Sequence, residues 1–181
     1  MRTLICSLVL LGLGGFGLAQ IARWERTNAP VPADFAPNDP RVPEVYARNG
    51  QFERVVIARL KHRTDLLEGL ERLVKQEKIR NGVVLAGIGS VTGYHYHVVS
   101  NREFPTRNMF VQDPTGPADI TAMNGYIIDG RVHAHITLAN ATNAFGGHLE
   151  RGTTVFTFAI VTIGVFNEGI DLSRIDDKHH R

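Results

Sequence analysis

The sequence predicts an α+β domain with one main helix at about residues 65–80, and three observations carry that expectation. A single stretch has apolar residues at helical spacing, the runs after it are β-branched, and an Asp-Gly pair joins two of those runs as a hairpin would. In chain order, FERVVIARL (52–60) alternates as a strand does. Thr64 then offers a helix N-cap with Asp65 in the first turn. Leu66, Leu67, Leu70, Leu73 and Val74 recur at i, i+3/i+4 and i+7, which gives one buried stripe, and Asn81-Gly82 is expected to close the helix as a left-handed cap. GVVLAGIGSV (82–91) and YHYHVVS (94–100) read as two strands, the second alternating aromatic or aliphatic residues with histidine. ITAMNGYIIDG ends in Asp129-Gly130, a hairpin turn that leads straight into RVHAHITLA. TTVFTFAIVTIGVF (153–166) is long and β-branched, and is expected to be a central strand buried on both faces.

At 181 residues, 43% hydrophobic and 21% charged, the chain suits one domain. Such a domain buries roughly two-thirds of its unfolded surface, so a metal here would serve function or assembly rather than rescue a weak core. Residues 1–19 begin with Arg2, continue as an uncharged apolar run and end Gly17-Leu18-Ala19, the form of an export signal; uncleaved, the same run would be a membrane anchor. The protein is accordingly expected to be exported, periplasmic or secreted. Residues 20–45 form a proline-rich linker, with five of the chain's eight prolines between 29 and 43. A domain at 46–168 follows, and then a polar, solvated C-terminal tail at 169–181.

Composition also excludes chemistries. Cys6 is the only cysteine and lies in the signal, so disulfides, thiolate ligands and a cysteine nucleophile are absent from the processed chain. A net charge of +2, with no cluster of Lys and Arg, lacks the electrostatic footprint of a protein that binds a phosphate backbone. GIGSVTG (87–93) resembles a dinucleotide-binding glycine pattern, but its third glycine comes one position late and a strand-like run follows where a helix is needed. Neither a G-x-S-x-G elbow nor a P-loop occurs.

The stretch RVHAHITLANATNAFGGHL (131–149) is more specific. In a strand, Val132, Ala134, Ile136 and Leu138 face one way and His133 and His135 the other, side by side. Two such imidazoles can reach one ion at about 2.0–2.1 Å, and Gly146-Gly147 lets the backbone approach closely and turn sharply, so that His148 could complete a three-histidine set with an open position for water. A solvated or hydrogen-bonded polar strand face is the alternative. His95 and His97 repeat the spacing and offer either a second ligand pair or, with Tyr94 and Tyr96 opposite, an interface or pH-sensitive patch. Glu150, two residues past His148, is a candidate general base.

The segments DLLEGL, GVVLAGIGSV, HAHITLAN and FGGHLERG, in that order across about residues 52–166, resemble the PPC domain, conserved in plants and prokaryotes and also written PCC. The resemblance implies an α+β fold with a mostly antiparallel sheet, assembled as a homotrimer. It also places the family's H-x-H…G-G-H pattern on His133, His135 and His148, which implies a zinc or other divalent metal site. Plant members combine the domain with AT-hooks and are associated with DNA; this chain has no AT-hook GRP core, and has instead the export signal, the proline-rich linker and a longer NREFPTRNMFVQDPTGPAD segment. The expected function is therefore an exported, metal-binding domain with a small-molecule role. The alternatives are a DNA-binding protein or a non-catalytic trimeric scaffold.

Overall fold

The computed structural model describes residues 21–181; the expected export signal lies outside the described residues. Eight strands and one α-helix follow in chain order: β1 (Ala22–Thr27), β2 (Phe52–Lys61), α1 (Leu66–Gln76), β3 (Gly82–Val99), β4 (Arg107–Asp113), β5 (Ala118–Ile128), β6 (Arg131–Ala139), β7 (Ala144–Leu149) and β8 (Thr154–Phe166). A short 3₁₀ turn, Pro32–Phe35, lies in the segment read as a linker.

All strands join one antiparallel sheet, and β3 is its hub. Its first half lies between β5 and β8, and its second half between β4 and β7. Irregularities in the β3–β8 register between Val84 and Gly93 bend the strand, so that its two halves take different neighbours. GVVLAGIGSV and YHYHVVS are thus one eighteen-residue strand rather than two. Because β5, β6 and β7 are joined in succession and β7 returns to β3, these four strands close on themselves. Val91, Ile127, Leu138 and Leu149 of these strands are all essentially inaccessible to solvent, as is Val155 of the neighbouring β8.

The α+β expectation is therefore corrected. Strands make up 50% of the structure and helix 9%, so the fold is sheet-rich, and the expected trimer has no support in it. The physical reason is that a sheet bent back on itself buries most of its own apolar face. The helix only closes one end, with Leu66, Leu70 and Val74 buried against β2, β6 and β8, each adding roughly 1.5–3 kcal/mol. Its ends also differ from expectation. Asp65, not Thr64, is the N-cap and accepts the Glu68 amide at 3.0 Å. At the other end Lys78 takes the left-handed conformation (φ 52°) while Ile79 N–H bonds Val74 C=O at 2.9 Å, so the helix stops before Asn81-Gly82. Gly82 instead begins β3.

The Asp129-Gly130 turn has both residues at positive φ, 49° and 76°, as a two-residue hairpin requires. Strand β8 is central, between β2 and β3, but its two faces are covered unequally: Val155, Ala159, Val161, Ile163 and Val165 are buried, whereas Phe158, Ile160 and Thr162 are half-buried and Phe156 is exposed. Among the described residues no helix is long and apolar enough to cross a membrane.

Candidate metal centre

Strand alternation on β6 buries Ala134, Ile136 and Leu138 and leaves His133 half-buried and His135 exposed on the opposite face. Register then selects the neighbours. His135 stands directly opposite His148 of β7, and His148 stands opposite His97 of β3. The row continues to Asn124 on one side and through Phe110 to Trp24 on the other.

The two glycines before His148 make this possible. A β-carbon at Gly146 would lie 2.0 Å from the Ile136 carbonyl oxygen, and one at Gly147 would lie 2.3 Å from that of His97. Both glycines lie inside β7, so they serve close approach to β6 and β3 and not a sharp turn; the chain reverses earlier, where the Asn140 amide bonds the Asn143 carbonyl.

His133, His135 and His148 each present one ring nitrogen within 4.8 Å of the others, so the three could hold a cation. His97, His148 and Glu150 meet the same condition. The His97 and His148 rings stack at 4.5 Å, and His133 and His148 are 4.8 Å apart. Burial, and then the neighbouring His97, His133 and His135, push the His148 pKa down to about 4, against a weaker upward pull from Asp176. The same causes, burial first and then His133 and His97, lower that of His135. Neutral imidazole is the metal-binding form, so these shifts suit ligation.

The outer partners are fixed by hydrogen bonds. His133 Nδ1 bonds Asp176 Oδ1 at 2.9 Å, and His97 Nδ1 bonds Glu150 Oε1 at 2.7 Å. Glu150, the candidate general base, is thus engaged with His97. His95 faces the same way as His97 but is held elsewhere, packed on Trp24 at 5.4 Å with Nδ1 bonded to Arg151 C=O at 2.6 Å. Burial raises the Asp176 pKa, but the bonds from His133 and Arg131 outweigh it and keep the carboxyl below its usual value. Beside His133 and His135 lies a pocket of about 490 Å³, walled by Val84, Tyr126, Ile128 and Ile175, with Asn124 and Asp176 as polar groups.

Sequence reasoning left His97 open and missed Asp176. The YHYH spacing signals the face of His97, but nothing local reports that β7 will lie beside it. Asp176 lies in the tail read as solvated; that tail instead docks, with Lys178 and His179 bonding buried Asp34 at 3.1 and 3.0 Å.

The donor set fits a first-row divalent cation. Three imidazole nitrogens stand within 4.8 Å of one another, against roughly 3.3 Å between ligands in a tetrahedral zinc site.

Comparison with known proteins agrees with this architecture. The profile of the Plants and Prokaryotes Conserved (PCC) domain matches residues 47–167. The bifunctional protein GlmU of a Synechococcus species is 30% identical over 106 residues, which is 55% of this chain and 15% of GlmU, so the chain spans only a small part of that relative's length. Among solved structures, the fold resembles a metal-containing protein of Archaeoglobus fulgidus (TM-score 0.60, 17% identity, 75% of this chain and 95% of that one). It also resembles a plant- and prokaryote-conserved protein of Pyrococcus horikoshii (0.59, 23%, 75% and 94%). A Ralstonia eutropha protein proposed to bind DNA is similar at 0.50, with 24% identity over 64% of this chain and 80% of that one. The matched span takes in every strand from β2 to β8 and the helix, and the chain belongs to the PCC domain family.

Proposed function

We propose that this PCC-domain protein binds one divalent cation, zinc before others, through His133, His135 and His148, and holds a small molecule in the adjoining pocket. The observation that supports this most is the register that sets His135 opposite His148 with His133 on the same face, which gathers three nitrogen donors without a competing acidic residue among them. When bound, such a cation supplies Lewis acidity and makes a coordinated water a stronger acid. The chain's own residues do the rest. Burial and neighbouring imidazoles keep His148 neutral, Val84, Tyr126 and Ile128 give a ligand an apolar wall, and Asn124 offers it a hydrogen bond. Three protein ligands leave the fourth position of a tetrahedral site to a ligand atom.

A DNA-binding reading has the description of the Ralstonia neighbour behind it, but the near-balanced charge gives it little electrostatic basis. Export, read from residues 1–19, belongs to the same proposal.

Elemental analysis and Zn²⁺ titration of the purified protein test the reading. The wild type is expected to take up one Zn²⁺ per chain, and His135→Ala and His148→Ala to weaken it by about 100-fold or more, roughly 2.7 kcal/mol. Absence of uptake by the wild type, or an affinity in both variants equal to that of the wild type, would overturn it.

A further inference from the structure

Asp176 touches the candidate site from outside the family's domain. The family match ends at residue 167, yet nine residues later the chain has folded back far enough for Asp176 to bridge two residues of β6. Its Oδ1 accepts from His133 Nδ1 at 2.9 Å and its Oδ2 accepts from Arg131 Nη2. The side chain is 22% exposed, so this is a partly desolvated, charge-assisted pair and not a surface encounter.

The tail is held at its far end as well. Asp34 is buried and takes bonds from Lys178 and His179, and Arg181 Nη2 donates to the carbonyls of Ala33 and Asp34 at 3.1 and 3.0 Å. Both halves of this latch, the turn around Asp34 and the last residues of the chain, lie outside the matched span. Ile175 meanwhile forms part of the wall of the pocket beside His133 and His135. The tail therefore meets the site twice, once at a histidine and once at the pocket.

A carboxylate can only accept, so the His133–Asp176 bond requires the proton on Nδ1 and leaves the Nε2 lone pair as the one His133 can offer. We propose that Asp176 is a positioning residue for His133: it fixes the Nδ1–H tautomer and the ring orientation, and makes the 169–181 tail a working part of the cation site. The proposal rests on the reading of His133 as a ligand. The same device recurs within the domain, where Glu150 engages His97 Nδ1, so two histidines of the cluster are each held from behind by a carboxylate.

The test combines Zn²⁺ affinity, by competition with a chromogenic chelator, with long-range ¹H–¹⁵N NMR of the histidine rings in the metal-free protein. Wild type is expected to show His133 as the Nδ1–H tautomer. Asp176→Ala is expected to give a tautomer mixture and about 10–100-fold weaker Zn²⁺ binding, the usual cost of losing such a partner. Asp176→Asn keeps an acceptor oxygen in place and is expected to retain the tautomer and lose less affinity, which separates positioning from mere packing of the tail and serves if the alanine variant does not fold. A wild type that takes up no Zn²⁺ overturns the cation reading and this one with it. A wild type that binds, beside an Asp176→Ala with unchanged His133 tautomer and affinity within about two-fold, overturns this proposal alone.

Discussion

The two His-x-His pairs obey one rule and meet different fates. On β6, His133 and His135 share a face and both join the cluster; on β3, His95 and His97 share a face, yet only His97 does. Spacing is identical, so spacing cannot be the cause. The difference lies in what each strand has beside it. Strand β7 pairs with β6 over five residues and with β3 at only Tyr96 and His97, so it brings His148 to His135 and to His97 but ends short of His95. His95 is left to Trp24, Phe110 and a backbone carbonyl. Periodicity chooses a face; register chooses the company kept on it.

The severest way to break the comparison is at Gly147. A β-carbon there would sit 2.3 Å from the His97 carbonyl oxygen and 2.8 Å from Val98 Cγ1, so β7 cannot keep its place against β3. Gly147→Ala is expected to destabilise the protein by about 3 kcal/mol, through backbone displacement and overpacking. Urea unfolding followed by circular dichroism measures this; a loss under about 1 kcal/mol would mean that the close β7–β3 approach does not govern the site.

Much of the β6 side of the comparison was legible in the sequence and little of the β3 side. The burial of Ala134, Ile136 and Leu138, the outward histidines, and the turn at Asp129-Gly130 are local consequences of alternation and of positive φ. The helix was legible in its stripe but not in its ends, because Asp65 outcompetes Thr64 as a cap and Lys78 adopts the left-handed conformation although it is not glycine. The continuity of β3, its bend and its late partner β7 are decided by pairings between residues as far apart in the chain as Gly82 and Val165, which leave no periodic trace. Asp176 reaches His133 across 43 residues of chain, and no motif announces it.

Titration offers a milder perturbation. An ordinary histidine in the unfolded chain titrates near 6.5, whereas folded His148 is pushed down to about 4. Between those values the unfolded state binds more protons than the folded one, so stability is full above about pH 6.5 and falls as the pH drops toward 4. With a discount for partial solvent screening, this amounts to about 2 kcal/mol in the metal-free protein. His148→Gln, which cannot titrate, is expected to flatten that part of the stability profile, while a substitution at His95 leaves it in place. Identical slopes for wild type and His148→Gln would remove His148 from the centre of the cluster's electrostatics.

The smallest effect is expected at His95, and it sharpens the comparison most. Its ring packs on Trp24 and Phe110, its Nδ1 bonds Arg151 C=O, and its Nε2 is buried with no hydrogen-bond partner among the described residues. That is the environment of a packing residue, not of a ligand: an imidazole whose second nitrogen faced a cation position would have other donors beside it, as His148 has. His95→Ala should cost about 1 kcal/mol of stability, through lost ring packing and one hydrogen bond offset in part by removal of the unpartnered nitrogen. Its Zn²⁺ affinity should stay within about two-fold of wild type, a change of no more than about 0.4 kcal/mol. Weakening of Zn²⁺ binding by ten-fold or more in His95→Ala, measured beside His148→Ala, would place both members of the β3 pair in the site and dissolve the distinction that register draws between the two strands.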